Sequence, residues 1–332
     1  MRRLGNIFVV VAVWLGFICK IVTARPNDVM PRSNRSASSE LRFIAIGDWG
    51  QDGQDQNQIA KAMGKWCSSH RCDFIISTGD NFYPCGVDSV DHEFFNSKWR
   101  DVYKHPKIAD LKWHMCAGNH DHGGGHDRNC KDPKYEVRYQ VEYTNPRWHF
   151  PKLSYSFEKK AGTAAIKFVS IDTESIRRGE DDNTAGFVNT ELKESNAKWK
   201  VVFGHHPFFS AGKKDTTKSR DKKLRAKILK TMQNHNADIY LSGHDHNHQH
   251  WQKEGTLDID HVLTGAGGKK LYHRNNKHKK NMEQKYGMKL RFFKAAFGFT
   301  YFVVTENAIS WKVLSKDLKI LHKHTRTKQD VK

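Results

Sequence analysis

The chain has 332 residues, of which 37% are hydrophobic and 11% aromatic, and its mean hydropathy is -0.76. That length fits one large α/β domain or two smaller ones, and the regular apolar runs exclude a mainly disordered chain. The 56 Lys and Arg outnumber the 36 Asp and Glu to give a net charge of +20, which indicates either an anionic partner or simply a well-solvated basic surface.

The N-terminal segment is typical of a secretory signal peptide. Two arginines precede an apolar stretch from Ile7 to Cys19, and small residues suited to cleavage follow. The stretch is shorter than the roughly 20 residues that a membrane-spanning helix needs. We therefore predict a signal peptide over residues 1–24 and a flexible lead-in over residues 25–40, with a glycosylation sequon at Asn34.

The cysteines predict disulfides of unknown connectivity. Cys19 would be removed with the signal peptide, so that five cysteines remain and at least one has no partner within the chain. In a secreted protein, short bridges are plausible for Cys67 with Cys72 and for Cys116 with Cys130.

We expect the folded domain to cover residues 41–325, followed by a basic tail over residues 326–332. Short apolar runs with turn signals behind them predict strands, several of them fully buried. These runs are Leu41–Ile46, Phe74–Ser77, Trp113–Ala117, Ile166–Ile171, Lys200–Phe203, Ile239–Ser242 and His261–Leu263. Apolar residues at helical spacing predict helices over Gln56–Trp66 and Lys222–Gln233, so strands alternate with helices. Near the C-terminus, Phe299–Thr305 and Ala308–Leu314 predict an antiparallel hairpin.

Five polar motifs each follow an apolar run closely. They are Gly47–Gly50, Gly79–Tyr83, Gly118–Asp121, Gly204–Pro207 and Gly243–His246. Ligands in α/β sheets bind at the carboxyl ends of the strands, so we expect the five loops to converge. Each motif alone is typical of a turn or a surface loop, whereas five of them in this order indicate one site.

The residue types in these motifs suit a hydrolytic pair of metal ions. Carboxylate, imidazole, amide and phenolate groups supply oxygen and nitrogen ligands, and no cysteine is required. Two neighbouring metal ions can activate water and stabilise charge on phosphate oxygens. A carboxylate that bridges the two ions is needed, and Asp80 is the candidate.

The ordered set GDWG, GDNFY, GNHDH, GHHP and GHDH resembles the calcineurin-like metallophosphoesterases and, within them, the small mammalian-type purple acid phosphatases, the tartrate-resistant type 5 group. The tyrosine of GDNFY discriminates this family. The likeness runs from about Leu41 to the C-terminus. It implies an α/β fold, more exactly an α+β sandwich of two mixed sheets flanked by helices, with a metal site at the carboxyl ends of the strands.

The resemblance also implies roles for individual residues. The implied ligands are Asp48, Tyr83 and His246 for Fe(III), Asn119, His205 and His244 for a divalent ion (Fe, Zn or Mn), and Asp80 as the bridge. His120 matches the histidine that faces the substrate, where it stabilises the phosphate or protonates the leaving group.

The sequence departs from this family in the loop after GHHP. Members of this size usually carry a second substrate-facing histidine there, but no histidine lies between His206 and His235. Lys213 or Lys214 is the candidate to contact phosphate instead, and an acidic pH optimum therefore does not follow from the sequence. The polar segment Thr173–Lys198 has no cysteine, so the disulfide that tethers this loop in mammalian relatives is not expected.

Four other histidines are predicted to have no role in the site. We expect His122 and His126 to be solvated loop residues, and His248 and His250 to have surface or packing roles.

The function predicted from this evidence is hydrolysis of phosphate monoesters by a metal-activated hydroxide, with phosphorylated small molecules or phosphoproteins as substrates. The alternatives are a phosphodiesterase or nucleotide hydrolase, a non-catalytic scaffold, and a basic glycan-binding or adhesion protein. Polyanions could bind the basic run Lys213–Lys230, but no specific nucleic acid is expected, because the run lacks interleaved aromatic residues. We expect a monomer without a transmembrane anchor after signal cleavage, secreted or lysosomal.

Overall fold

Two mixed β-sheets of seven strands each make up the centre of the computed structural model, which describes residues 38–124, 130, 134–180, 183–253 and 259–328. The predicted signal peptide, the sequon at Asn34 and the loop residue His126 lie outside the described residues. The two mixed sheets confirm the predicted fold class.

The first sheet has the strand order β14-β13-β12-β1-β2-β3-β4. Its strands are β1 (Leu41–Ile46), β2 (Phe74–Ser77), β3 (Lys112–His114), β4 (Trp148–His149), β12 (Gly298–Val304), β13 (Ala308–Ser315) and β14 (Ile320–Thr327). Strands β1 to β4 are parallel, and β12 to β14 pair antiparallel. The predicted C-terminal hairpin is β12 and β13.

The second sheet has the order β11-β9-β10-β8-β7-β6-β5. Its strands are β5 (Tyr155–Ala161), β6 (Ala164–Ser170), β7 (Trp199–Phe203), β8 (Ile239–Ser242), β9 (His248–Lys253), β10 (Asp260–Thr264) and β11 (Met288–Lys294). Strands β6, β7, β8 and β10 are parallel. Parallel strands are covered on both faces, which explains why β8 is buried at every position.

Helices connect and cover the strands. The α-helices are α1 (Gln54–Ser69), α2 (Arg138–Glu142), α3 (Thr173–Arg178), α4 (Thr184–Lys193), α5 (Ser219–Leu224), α6 (Lys230–Asn234) and α7 (Asn276–Tyr286). Two π-helical segments cover Phe95–Arg100 and Arg225–Leu229, and the second joins α5 to α6. In the described ranges, none of the helices has the length and apolar character needed to cross a bilayer.

Aromatic side chains from both sheets form the core between them. Phe43 of β1 stacks between Phe74 and Phe302, with ring centroids 5.1 and 4.7 Å apart, and meets Phe168 of the second sheet edge-on at 5.5 Å. Burial of each such ring contributes about 2 to 3 kcal/mol, and aromatic pairing adds about 1 kcal/mol. This contact fixes the two sheets face to face.

One strand end differs from the prediction, and another strand continues past the expected end of the domain. Strand β3 stops at His114 instead of continuing to Ala117, because the chain leaves the ladder after Met115 to enter the following polar loop. Strand β14 continues to Thr327, beyond residue 325, and Arg326 is buried against Asp238 and Asp260.

The disulfides correct one of the two plausible bridges. Cys67 pairs with Cys72 as expected, but Cys130 pairs with Cys85, so the Cys116–Cys130 bridge is wrong. Cys116 lies shortly after β3 in the core, where it is buried and unpaired. Cys130 lies beside the carbonyl group of Pro84, the residue that precedes Cys85 in the chain. Because the number of cysteines after the signal peptide is odd, at least one had to lack a partner, and Cys116 is that residue.

Candidate metal centre

The five polar loops meet at one rim of the molecule. Three follow the parallel strands β1, β2 and β3, and two follow the parallel strands β7 and β8. The carboxyl ends of parallel strands lie at the same edge of a sheet, so the fold itself brings these loops together. Two sets of ligand-type atoms result, and each set is closely packed.

The first set surrounds the hydroxyl oxygen of Tyr83. This Oη lies 2.8 Å from Asp80 Oδ2, 3.1 Å from Asp48 Oδ1 and 3.4 Å from His246 Nε2. His246 Nε2 is also 3.3 Å from Asp48 Oδ1.

The second set surrounds the ring nitrogen Nε2 of His205. This atom lies 3.1 Å from His244 Nδ1, 3.2 Å from Asn119 Oδ1 and 3.3 Å from Asp80 Oδ1. Asp80 therefore presents one carboxylate oxygen to each set. All seven residues that the sequence singled out as ligands belong to one or the other.

Two histidines turn their Nε2 atoms toward these sets. His205 Nδ1 lies 2.9 Å from the Thr78 carbonyl oxygen, and His246 Nδ1 lies 2.8 Å from that of Lys270. A carbonyl only accepts hydrogen bonds, so each Nδ1 carries the hydrogen and Nε2 is the ring nitrogen that faces the set. Each Nε2 lies 3.3 Å from a carboxylate oxygen, an arrangement that a bound cation stabilises.

The spacing of the atoms fits coordination to metal ions. Bonds of about 2.0 to 2.2 Å place neighbouring ligand atoms about 2.8 to 3.6 Å apart in octahedral or tetrahedral geometry, the range of distances in both sets. Burial also lowers the pKa of His246 to about 4 and holds that of His244 well below the usual range. Both rings are therefore neutral at pH 7, as metal ligands must be.

The acidic groups of the centre also call for positive charge. Burial raises the pKa of Asp48 well above its usual value. Burial, reinforced by Asp48 and Asp80, does the same to the pKa of Tyr83. Burial raises the pKa of Asp80. Nearby histidines, mainly His205, lower this pKa by more than burial raises it, so it lies below its usual range. Carboxylates and a phenol this deeply enclosed ionise together only beside a cation.

Backbone strain is concentrated at the same residues. Among the described residues, five that are not glycine have a positive φ, and three of these are Asp48 (57°), Asp80 (54°) and His244 (68°). Such conformations cost on the order of 1 to 3 kcal/mol each and persist where the surroundings enforce them. A Cβ atom on neighbouring Gly243 would lie 2.6 Å from Asp48 Oδ2, so glycine is required for this close approach.

Asp121 holds two of the loops in register, a role that the sequence did not reveal. Its carboxylate accepts hydrogen bonds from the backbone amides of Gly118 (2.7 Å), Asn81 (3.0 Å) and Phe82 (3.1 Å), and from Gln140 Nε2 (2.9 Å). Burial and the charge of Asp80 raise its pKa to about 6. The position of Asp121 beside His120 in the motif was the only available signal, because its partners are distant in the chain.

Asp245 positions the two lysines that the sequence proposed for phosphate contact. Its carboxylate accepts from the backbone amides of Lys213 and Lys214, and also from the Ser210 hydroxyl. Lys213 is exposed, with its Nζ 4.6 Å from the centre of the Tyr272 ring. Lys214 is partly buried, and burial lowers its pKa although Asp80 and Asp48 act in the opposite direction, which places its charge near the metal ligands.

His120 lies at the edge of the centre, and His206 lies beside its second set, with a ring nitrogen within 4.8 Å of ligand atoms of His205 and His244. The His120 amide donates to Asp80 Oδ1 (3.0 Å), and its ring lies 4.4 Å from the Tyr83 ring. His206, the second histidine of GHHP, instead contacts Thr173 Oγ1 and Arg177 Nη1, both at 2.8 Å. Its ring nitrogens are therefore already paired.

His122 is not the solvated residue that the sequence suggested. Its Nε2 lies 3.1 Å from the Asp172 carboxylate, and only 8% of its side chain is exposed. Burial lowers its pKa, but Asp172 outweighs that effect and raises it above the usual value. His248 and His250 are buried, which corresponds to a packing position.

One family model matches the larger part of this chain. The model of the family described as calcineurin-like phosphoesterase matches residues 41–248. The chain belongs to the calcineurin-like phosphoesterase family.

Within this family the chain is similar to acid phosphatases along most of its length. It is 30% identical over 330 residues to tartrate-resistant acid phosphatase type 5 of Sus scrofa, a match that covers 90% of this chain and 91% of the relative. It is 28% identical over 307 residues to purple acid phosphatase 7 of Arabidopsis thaliana, covering 85% and 88%.

Two solved structures share the fold. GAP50, the anchor in the inner membrane complex of Plasmodium, superposes with a TM-score of 0.69 at 23% identity, covering 88% of this chain and 90% of GAP50. A purple acid phosphatase from yellow lupin (Lupinus luteus) seeds superposes with a TM-score of 0.67 at 16% identity, covering 88% of this chain and 54% of the lupin chain. At these identities the likeness concerns the fold alone.

Proposed function

We propose that this protein is an acid phosphatase that hydrolyses phosphate monoesters at a centre of two metal ions. The observation that carries the proposal is the division of ligand-type atoms into two sets that share the Asp80 carboxylate. Family membership and the acid phosphatase relatives support the same reaction. Although GAP50 has this fold and is an anchor, the complete ligand set in this chain favours catalysis.

The proposed ligands fall into two groups of unlike chemistry. Asp48, Tyr83 and His246 would hold Fe(III), Asn119, His205 and His244 would hold a divalent iron, zinc or manganese ion, and Asp80 would bridge them. Phenolate is a hard anionic oxygen donor that suits the ferric ion, whereas imidazole and amide oxygen suit a divalent ion. When bound, such a pair lowers the pKa of water and neutralises charge on phosphate oxygens.

His120 is the proposed proton donor to the leaving group. Its Nδ1–H donates to the Pro84 carbonyl oxygen, which fixes the ring and leaves Nε2 as the nitrogen available to the substrate. Nε2–H would protonate the alcohol or phenol oxygen as the ester bond breaks.

Basic side chains next to the metal centre, among them Lys213, Lys214 and Arg274, would select phosphorylated substrates. A cleft of about 550 Å³ is lined by Lys213, Tyr272, His273 and Arg274, among others, and Tyr272 stacks on His246 with ring centroids 4.2 Å apart. Lys214 contributes a further partly buried charge. These cations would attract the substrate phosphate in place of the missing histidine, and the open cleft suits phosphorylated small molecules or phosphoproteins.

The protein is proposed to act in the secretory pathway or beyond it, in a lysosome or outside the cell. Two disulfides form within the described residues, which favours an oxidising compartment. The predicted signal peptide points to the same route.

The replacement Asp80→Asn tests the proposed function. The amide keeps the shape of the side chain but cannot bridge two cations, so we expect hydrolysis of a model phosphate monoester to fall by about 1000-fold, the upper range for loss of one electrostatic stabiliser. Metal content by elemental analysis should fall with it. The exposed Asp317, in the turn between β13 and β14, supplies the control Asp317→Asn, which should keep full activity. Undiminished hydrolysis by Asp80→Asn would refute the proposal.

The visible spectrum tests the assignment of iron to Tyr83. A phenolate bound to Fe(III) gives a charge-transfer band, so the oxidised protein should be coloured. Tyr83→Phe should remove the band while iron remains bound through the other ligands. An unchanged band in this variant would show that Tyr83 is not the phenolate ligand.

A further inference from the structure

A second cluster of histidine and carboxylate groups lies where β14 of the first sheet meets the second sheet. It consists of His250 on β9, Asp260 on β10 and His324 on β14, and one ligand-type atom from each lies within 4.8 Å of the others. None of these residues belongs to the two sets at the candidate metal centre.

The three side chains converge on one carboxylate oxygen. Asp260 Oδ1 lies 2.8 Å from His250 Nε2 and 3.9 Å from His324 Nε2. His250 and Asp260 are almost fully buried, whereas 28% of the His324 side chain is exposed. The cluster is therefore enclosed on two sides and open to solvent at His324, which provides a path for an ion to enter.

Further groups hold the first two residues in place. Asp260 Oδ2 accepts a hydrogen bond from Arg326 Nη1 at 3.1 Å, which leaves Oδ1 to face the histidines. His250 Nδ1 lies 3.2 Å from His322 Nε2. A histidine that binds a metal through one ring nitrogen normally donates the hydrogen of the other to an acceptor, and His322 Nε2 can serve as that acceptor for His250.

The strand pattern turns two histidines of β14 toward this cluster. Side chains two residues apart lie on the same face of a strand, so His322 and His324 both point from β14 toward the second sheet. Trp311 of β13 lies against His250 and His324, with ring centroids 5.1 and 4.7 Å apart. A cation bound here would take the place of the hydrogen that His250 Nε2 and Asp260 Oδ1 share at 2.8 Å.

We propose that His250, Asp260 and His324 bind a divalent transition-metal ion, Zn²⁺, at a site separate from the candidate catalytic centre. Two imidazole nitrogens and one carboxylate oxygen are a ligand set that zinc accepts, with water in the fourth position. The ion would join β14 to β9 and β10. Its role is structural, because it fastens an edge strand of one sheet to the other sheet.

Zinc content tests this site independently of hydrolysis. After incubation with Zn²⁺ and gel filtration, the full chain should retain one zinc equivalent more than the variant His324→Gln, and both should hydrolyse phosphate monoesters equally. Added Zn²⁺ should raise the Tm of the unmodified chain more than that of His324→Gln. The exposed His273 supplies the control His273→Gln, which should retain as much zinc as the unmodified chain.

Equal zinc content in His324→Gln and the unmodified chain overturns the proposal. A measurement on the unmodified chain covers the case in which the variant does not fold. Crystals soaked in Zn²⁺ should give an anomalous scattering peak between His250, Asp260 and His324, and absence of the peak there also overturns it. Because neither result depends on catalysis, failure of this site leaves the proposed phosphatase activity untouched.

Discussion

Two groups of buried histidines differ in what surrounds them. His205, His244 and His246 lie at the rim where the loops converge, while His114 on β3 and His248 on β9 lie in the interior. The exposed fraction of each of these five residues is 9% or less. The rim histidines face carboxylate, amide and imidazole ligand atoms, whereas neither ring nitrogen of His114 or His248 has a hydrogen-bond partner in the ranges that the structure describes.

This difference shows that burial of a histidine does not by itself identify a functional site. His114 stacks on Phe157 with ring centroids 3.6 Å apart and behaves as one more aromatic ring of the core. Burial, assisted by His149, lowers its pKa to about 2. Burial also lowers the pKa of the rim residues His244 and His246, but at the rim ring nitrogens converge with oxygen ligand atoms. Convergent ligand atoms, and not exposure or charge, distinguish the metal centre.

The largest expected effect comes from removing the carboxylate that organises the rim. In Asp121→Ala, four buried donors lose their acceptor, so we expect the free energy of unfolding to fall by about 3 to 5 kcal/mol. Metal affinity should also fall about 10- to 100-fold, as for other residues that position ligands. Chemical denaturation and metal titration measure the two effects.

Asp317→Ala, at an exposed turn, is the control for this change and should leave both quantities within experimental error. A loss of less than about 1 kcal/mol in Asp121→Ala would mean that the rim loops are held by other contacts.

A smaller effect is expected in the interior, and only at acid pH. The folded-state pKa of His114, about 2, lies below the unfolded value of about 6.5, so the unfolded chain binds the proton more readily. Stability is therefore lost as pH falls below about 6.5, by roughly 1.4 kcal/mol per pH unit. His114→Phe should be more acid-stable than the unmodified chain, with a relative gain of about 2 to 3 kcal/mol between pH 7 and pH 4.5.

Denaturation curves at the two pH values measure this gain. The matched change His273→Phe, at an exposed position, should not alter the pH dependence. If His114→Phe has the same pH dependence as the unmodified chain, the interior histidine is not the source of acid lability.

The smallest effect separates the two lysines at the rim. Because Lys214 is partly buried near the metal ligands, Lys214→Ala should remove a charge-assisted phosphate contact of about 1.5 kcal/mol, and kcat/KM for a phosphate monoester should fall about 10-fold. Lys213 is exposed, so Lys213→Ala should lower kcat/KM less than about 3-fold. Steady-state kinetics of the two variants compare them directly, and an equal effect would assign both lysines to the substrate.

Much of the metal centre could be predicted from the sequence, because each of its loops is a short local motif. Asp80 and Tyr83, for example, lie three residues apart directly behind a buried strand, and strand ends of an α/β fold meet at one edge. The resemblance that these motifs carry named all seven residues that the structure brings together. The same resemblance implied the two mixed sheets.

Contacts between segments distant in the chain were decided only by the tertiary structure. Cys130 pairs with Cys85, 45 residues away, although Cys116 is nearer in sequence. Asp121 accepts a hydrogen bond from the amide of Asn81, 40 residues before it, and His250 meets His324 across two sheets. A sequence states which groups are present and how neighbouring residues alternate. Which distant groups meet depends on how the two sheets stack and twist, and local patterns do not contain that information.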